Sequence, residues 1–200
     1  QREGRSKDGN DQTQGSVLKM LNLSGKSQSM VENIKELNVV PVSISYEYDP
    51  CDYLKAYQFQ QKRDNPEYKK SQKEDLTHMT MGITGKKGRI HFSFGTPISE
   101  SLDSITDPNK NVLVQAIAEI IDAQIYKNYH MWPGNYVAYD MLEKNDRFRS
   151  LYTDDEKKAF LHYINEHVFR LEDPDSDFIY DTILKMYANP VYNYIKAQQQ

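Results

Sequence analysis

The chain has 200 residues, a net charge of −4 and one cysteine, Cys51. A lone cysteine excludes an internal disulfide framework and a Cys-rich zinc site and fits a reducing compartment; the slight acidic excess speaks against a general nucleic-acid binder. No apolar run approaches the ~18 residues that a membrane-spanning helix needs, and no lipidation signal is readable, so the chain is expected to be soluble or bound at a membrane surface.

Residues 1–15 are polar and read as a loop. It opens with an acidic-Gly-basic element, Glu3-Gly4-Arg5-Ser6-Lys7. Arg5 can grip a phosphate with two parallel hydrogen bonds, and Lys7 adds a point charge. Gly4 lets the backbone approach an anion closely, and Ser6 adds a hydroxyl donor. Glu3 would be repelled by phosphate and is better suited to orienting Arg5 or accepting from a ligand hydroxyl. The competing reading is a solvated charged tail. Phosphate-gripping loops normally hang from a buried strand, so Arg2–Lys7 are expected to be poorly held or packed in a non-native place without one.

A short helix is predicted over Ser16–Gly25, closed by Gly25. A second begins near Ser29, which has capping-box spacing to Glu32. "VVPVSISYEYD" is Val/Ile/Tyr-rich and of strand length, and reads as a buried strand with Pro41 at its start or on an edge. Asp49-Pro50 predicts an N-cap with proline at the first helical position, and Asn65-Pro66 repeats that signal ahead of a helix through "PEYKKSQKEDLTHMTMGIT" with a solvated face. "GKKG" at Gly85–Gly88 can hold an anion but reads first as a turn. It leads into a strand, "GRIHFSFGTPI", where Ile90, Phe92 and Phe94 alternate with His91, Ser93 and Gly95.

Beyond residue 105 the pattern is helical. Val112, Val114, Ile117, Ile120, Ile121 and Ile125 have the spacing of a long amphipathic helix. "PGNYVAYDMLEK" follows, Thr153 and Glu156 have capping-box spacing, and the last helix is expected to be interrupted at Asn189-Pro190.

The five histidines, His78, His91, His130, His162 and His167, form no H-E-x-x-H motif. No Walker loop, G-x-G-x-x-G or G-x-S-x-G elbow occurs. Cys51 at a helix start invites a lowered thiol pKa, but with no histidine beside it in sequence it reads as a packed small residue. The carboxylates show no pairing that spacing alone assigns to acid/base work.

Three blocks in order resemble the glycerolipid acyltransferase family, the 1-acylglycerol-3-phosphate and glycerol-3-phosphate acyltransferases. "REGRSKDG" is similar to its E-G-R-S block, "VVPVSISYE" to its later I/V-P-V block, and "GRIHFSFGTPI" to the strand ending in F-G-x-P-I that closes its catalytic domain. The match is closest to a bacterial branch and covers roughly residues 1–100. It implies a partial acyltransferase α/β domain over residues 1–105, a mixed sheet with flanking helices, followed by an all-helical extension over 106–200. It also implies acyl transfer from acyl carrier protein or coenzyme A, as co-substrate, to a (lyso)glycerophosphate hydroxyl, with no bound cofactor or metal.

By the same resemblance, Glu3, Gly4, Arg5, Ser6 and Lys7 hold the acceptor phosphate. Val40, Pro41 and Val42 shape the acyl or acceptor pocket. The family's catalytic H-x-x-x-x-D, a general base and the Asp that orients it, precedes the E-G-R-S block and has no counterpart here: none of the five histidines has an Asp five positions on. The chain is therefore expected to be the C-terminal part of a longer enzyme, inactive alone, acting in the cytoplasm at the inner face of the cytoplasmic membrane, with no nucleic-acid partner. The alternative is a non-catalytic lipid- or protein-binding module. The Tyr and Met of the helical half fit core packing at helical spacing better than an acyl groove, and the aromatics of "YHMWPGNY" are candidates for touching lipid headgroups.

Overall fold

The structure is a computed structural model and describes residues 7–107 and 109–199. In chain order it comprises α1 (Gly15–Asn22), α2 (Met30–Glu36), β1 (Val42–Tyr46), α3 (Asp52–Asp64), α4 (Gln72–Thr84), β2 (Ile90–Phe94), α5 (Lys110–Lys127), α6 (Pro133–Glu143), α7 (Asp154–Val168) and α8 (Ser176–Gln198). Short 3₁₀ turns follow β2 and α6. The chain is mixed α/β, 60% helical, with one two-stranded antiparallel sheet.

Local signals set most helix starts. Ser29 accepts from the Glu32 amide, and Thr153 and Glu156 form a reciprocal capping box. Two proline-based expectations shift. After Asn65-Pro66 the chain makes a turn, and α4 starts only at Gln72, where Ser71 and Glu74 cap each other reciprocally. After Asp49-Pro50 the helix begins at Asp52, because the Asp49 side chain accepts from the Cys51 amide and closes a turn instead of capping. The expected break at Asn189-Pro190 does not occur: α8 runs through Pro190.

The core lies in two clusters. One packs α3, α6 and α7 around α8, through Phe160, Ile164, Val137, Ile179, Ile183 and Val191. The other packs α1 and α2 on α5, with Ile98 and Leu102 filling the gap. Both clusters draw on residues from either side of position 105. Tyr139, Tyr152, Met186 and Tyr187 of the helical half belong to the first cluster.

The sheet is turned opposite to the expected buried strands. Its register pairs Val42 with Phe94, Ile44 with Phe92 and Tyr46 with Ile90, and all six side chains are exposed, Phe94 at 73%. The serine face packs inward. Ser43 donates to the Ile125 carbonyl (2.8 Å), near the end of α5, and Ser45 accepts from the His130 amide (3.1 Å). Those serines satisfy backbone groups at the C-terminal end of α5, which is why the polar face is the buried one.

A buried carboxylate joins three helices. Asp52 at the start of α3 is fully buried; it accepts from Tyr187 Oη of α8 (2.9 Å) and lies 2.6 Å from His167 Nδ1 of α7. Tyr187 Oη also accepts from the Asp49 amide (2.9 Å). Burial pushes the Asp52 carboxyl up, and the His167 and Tyr187 hydrogen bonds pull it back. Removing one partner leaves buried polar groups unsatisfied, so Tyr187→Phe is expected to lower stability by about 1–3 kcal/mol. An unchanged urea midpoint would contradict that.

Candidate functional site

Residues 8–13 form a strap tied down at both ends. Asn189 of α8 donates to the Asp8 carbonyl (2.6 Å), and Asn193 to Asn10 Oδ1 (3.1 Å). From α5, the Tyr126 hydroxyl reaches the Asp11 carbonyl, and Asp122 Oδ1 accepts from both the amide and the hydroxyl of Thr13 (2.8 and 2.6 Å). Tyr129 Oη donates to Asp11 Oδ2 (2.8 Å); burial, then the Asp11 carboxylate, pushes that phenol well above its ordinary range.

Between the ties, Gly9 has φ +72°, and a Cβ there would stand 2.2 Å from the Met186 carbonyl oxygen. Pro190 has no N–H, so it cannot hydrogen-bond that carbonyl four residues earlier in α8. The strap's glycine rests on the backbone group that the proline leaves open.

The strap sets Lys7 where two clefts meet. One, of about 690 Å³, runs between β1, the start of α3, α4 and α8. The other, of about 830 Å³, lies on the far side and reaches Lys62 and Tyr68. Lys7 and Lys70 line both. Lys55 and Lys87 also line the first; Lys55 is held by Asp49 (2.5 Å), and Lys70 by Asp75 (2.9 Å). Lys87 donates to the Ile83 and Gly85 carbonyls (2.9 and 3.1 Å) at the end of α4. Partial burial lowers the Lys7 pKa, and the Lys62 and Lys70 ammonium groups lower it further, with Asp75 opposing. An anion entering among these amines would relieve their mutual repulsion and gain charge-assisted hydrogen bonds.

Tyr187 lies in the lining of the first cleft, whereas its partners Asp52 and His167 do not. The His167 ring is packed between Tyr53 (4.7 Å) and Tyr163 (4.1 Å). This His–Asp pair is therefore a brace beneath the cleft rather than part of its surface. Among the described residues, no group of three or more His, Cys, Asp and Glu is placed to hold a metal ion, and no helix is long and apolar enough to cross a membrane.

Of the residues singled out in the sequence, Glu3, Gly4, Arg5 and Ser6 lie outside the described residues, as does the Arg2–Ser6 part of the expected poor order; Lys7 stands at the cleft. Val42 lines the second cleft; Val40 and Pro41 line neither, Pro41 being buried with its carbonyl accepting from the Gly95 amide. "GKKG" leads into β2 with Gly88 at φ +64°, but it forms no turn: the Lys87 carbonyl accepts from the Tyr48 amide, continuing the pairing beside the sheet, and Lys87 lines the cleft. Cys51 is buried at the start of α3.

The "YHMWPGNY" aromatics are tied into the fold instead of being free for headgroups. Trp132 is buried, its Nε1 donating to the Ser45 carbonyl (3.3 Å) with Arg89 stacked on its ring. The strap ties and the Asp52–His167 pair were not foreseen. The pair's members are 115 positions apart, and no local pattern links them; for the strap, the only advance signals were Gly9 and the proline in α8.

Comparison with family models, with curated proteins and with solved structures finds no match to this chain.

Two predictions follow from this geometry. Gly9→Ala forces a side chain into a left-handed backbone and against the Met186 carbonyl, at a cost of about 1–3 kcal/mol; a lowered urea midpoint with faster exchange of the Asn10 and Thr13 amides is the expected result. The Glu74 carboxyl is pulled down to about 2 by hydrogen bonds from Ser71 and then Tyr68. A depressed folded-state pKa makes its contribution fully present above the ordinary value near 4.5, and lost as pH falls through about 2. A carboxyl NMR titration should find a midpoint near 2, with the α4 cap intact at pH 4; a midpoint between 4 and 5 would contradict this cap.

Proposed function

We propose that this chain carries the acceptor-phosphate side of a glycerolipid O-acyltransferase. The enzyme would move an acyl chain from acyl carrier protein or coenzyme A to the hydroxyl of a glycerol phosphate or lysophospholipid. The observation that carries the reading is Lys7: the residue that ends the Glu3–Lys7 element lines a cleft together with three further lysines and with Asp11, Asp49 and Asp75. A phosphate monoester brings close to two negative charges at neutral pH, and Lys7 lies within the field of the Lys62 and Lys70 amines, with Asp75 opposing them.

In this reading the residues described here bind and orient. Lys7 and Lys70, with the Arg5 side chain and the Gly4 backbone of the same element, would hold the phosphate; the strap fixes the position of Lys7. The base that takes the proton from the acceptor hydroxyl belongs to an H-x-x-x-x-D segment not contained in these 200 residues. The sheet supports that view. Two strands alone are marginal in water, and six exposed apolar side chains on one face call for a cover; further strands and helices of a larger acyltransferase domain would supply it.

The alternative, a non-catalytic lipid- or protein-binding module, is favoured by one observation, the sealing of the His167–Asp52 pair below the cleft. One set of assays separates the two. The 200-residue chain should bind glycerol 3-phosphate, fail to bind glycerol, lose about tenfold in affinity on Lys7→Ala and show no acyl transfer. Joining it to its natural upstream sequence should restore transfer from an acyl thioester. Transfer by the 200 residues alone would sink the proposed division of labour; binding without transfer in the longer chain would favour the module.

A further inference from the structure

Helix α4 carries its apolar stripe on the wrong side for a protein core. Leu76, Met79 and Ile83 follow one another at helical spacings of three and four residues, and are exposed, Leu76 at 63% and Ile83 at 76%. The opposite face, with Glu74, His78 and Met81, is the half-buried one, and no residue of the helix is buried. A surface helix of a globular protein ordinarily shows the reverse.

Cations precede the stripe: Lys69 and Lys73, both exposed, stand before it. Lys86, which follows it, sets its ammonium 5.5 Å from the centre of the Tyr48 ring. Residues 69–89 hold six basic and two acidic side chains in a chain whose net charge is −4, and Arg89 among them is paired with Glu47. Of those two acids, Glu74 is turned inward to cap α4, and Asp75 is paired with Lys70. Among the described residues Lys69 and Lys73 enter no ion pair.

We infer that α4 docks the protein on an anionic lipid surface, with Leu76, Met79 and Ile83 entering the boundary between headgroups and acyl chains and Lys69 and Lys73 on the headgroups. An apolar stripe beside lysines is one feature of interfacial helices. Charge distinguishes this occupant from a second copy of the chain: a twofold contact through α4 would set the same lysines against each other. It also distinguishes α4 from the β1–β2 face, whose six paired side chains carry no charge. The same helix lines the 690 Å³ cleft through His78 and Gly82, so docking on α4 brings that cleft to the lipid surface. The inference goes beyond the acyl-transfer reading and stands on α4 alone; a protein with no transferase function would still bind vesicles.

The test is co-sedimentation of the 200-residue chain with vesicles of equimolar phosphatidylglycerol and phosphatidylcholine, and with phosphatidylcholine alone. Binding to the mixed vesicles should weaken with added salt, since each lysine near such a surface contributes about fivefold to partition. The double variant Leu76→Ser, Ile83→Ser should lose at least about tenfold in partition, and Lys69→Glu with Lys73→Glu a similar factor, both with unchanged thermal melts. Phe169→Ser, at another exposed apolar position, should bind as the parent does. Absence of binding, equal binding to both vesicle types, insensitivity to the α4 variants, or a dimer abolished by Leu76→Ser would each overturn the assignment.

Discussion

The architecture depends on one buried carboxylate. Asp52 lies at the start of α3 with no solvent contact, and its hydrogen bonds go to α7 through His167 and to α8 through Tyr187. A charge in that position is tolerable only with its partners in place, because removing it from water costs several kcal/mol before any pairing is counted. The network therefore fixes where α3 begins relative to the two helices beneath it. Tyr187 carries that constraint upward: its hydroxyl also receives the Asp49 amide, so the turn at one wall of the cleft is held by the brace that holds the helices.

A second constraint positions the strap. Pro190 sits inside α8 without breaking it, because the helix is packed along most of its length in the larger core cluster. Its missing N–H leaves the Met186 carbonyl open, and Gly9 lies over that point. With the Asn189, Tyr126 and Asp122 hydrogen bonds, this turns a polar N-terminal stretch into a fixed strap. Lys7 is thereby delivered to the junction of two clefts, beside amines from α3 and from the turn before α4. Strap, brace and cleft form one mechanical unit: residues 8–13 are anchored on α5 and α8, and α8 is one of the helices that the buried carboxylate joins.

Much of this was legible in the sequence, and the failures have physical causes. Both strands, the long α5 and the capped start of α7 follow from local pattern, since caps and periodicity act within a few residues. Local rules failed where tertiary packing outweighed them: Pro190 lost to the packing of α8, and Pro66 to the stronger Ser71–Glu74 cap. Composition and length in β1, and alternation in β2, identified the strands correctly but not the face that packs inward, because the serine face is needed to satisfy backbone groups around the end of α5. Lys7 was marked as part of an anion site by the residues around it. The lysines that share its clefts are 48, 55, 63 and 80 positions further on, at Lys55, Lys62, Lys70 and Lys87, and only folding gathers them.

The central claim, that an anionic headgroup is held beside Lys7 within the cleft, is open to direct measurement. An NMR titration of the 200-residue chain with glycerol 3-phosphate, following backbone amides and lysine ammonium groups, reads the site without requiring catalysis. Saturable shifts concentrated at Lys7, Lys70 and the Gly9–Asp11 strap are the predicted result. Shifts confined to surfaces away from the strap, or none at concentrations that saturate ordinary phosphate sites, would contradict the account.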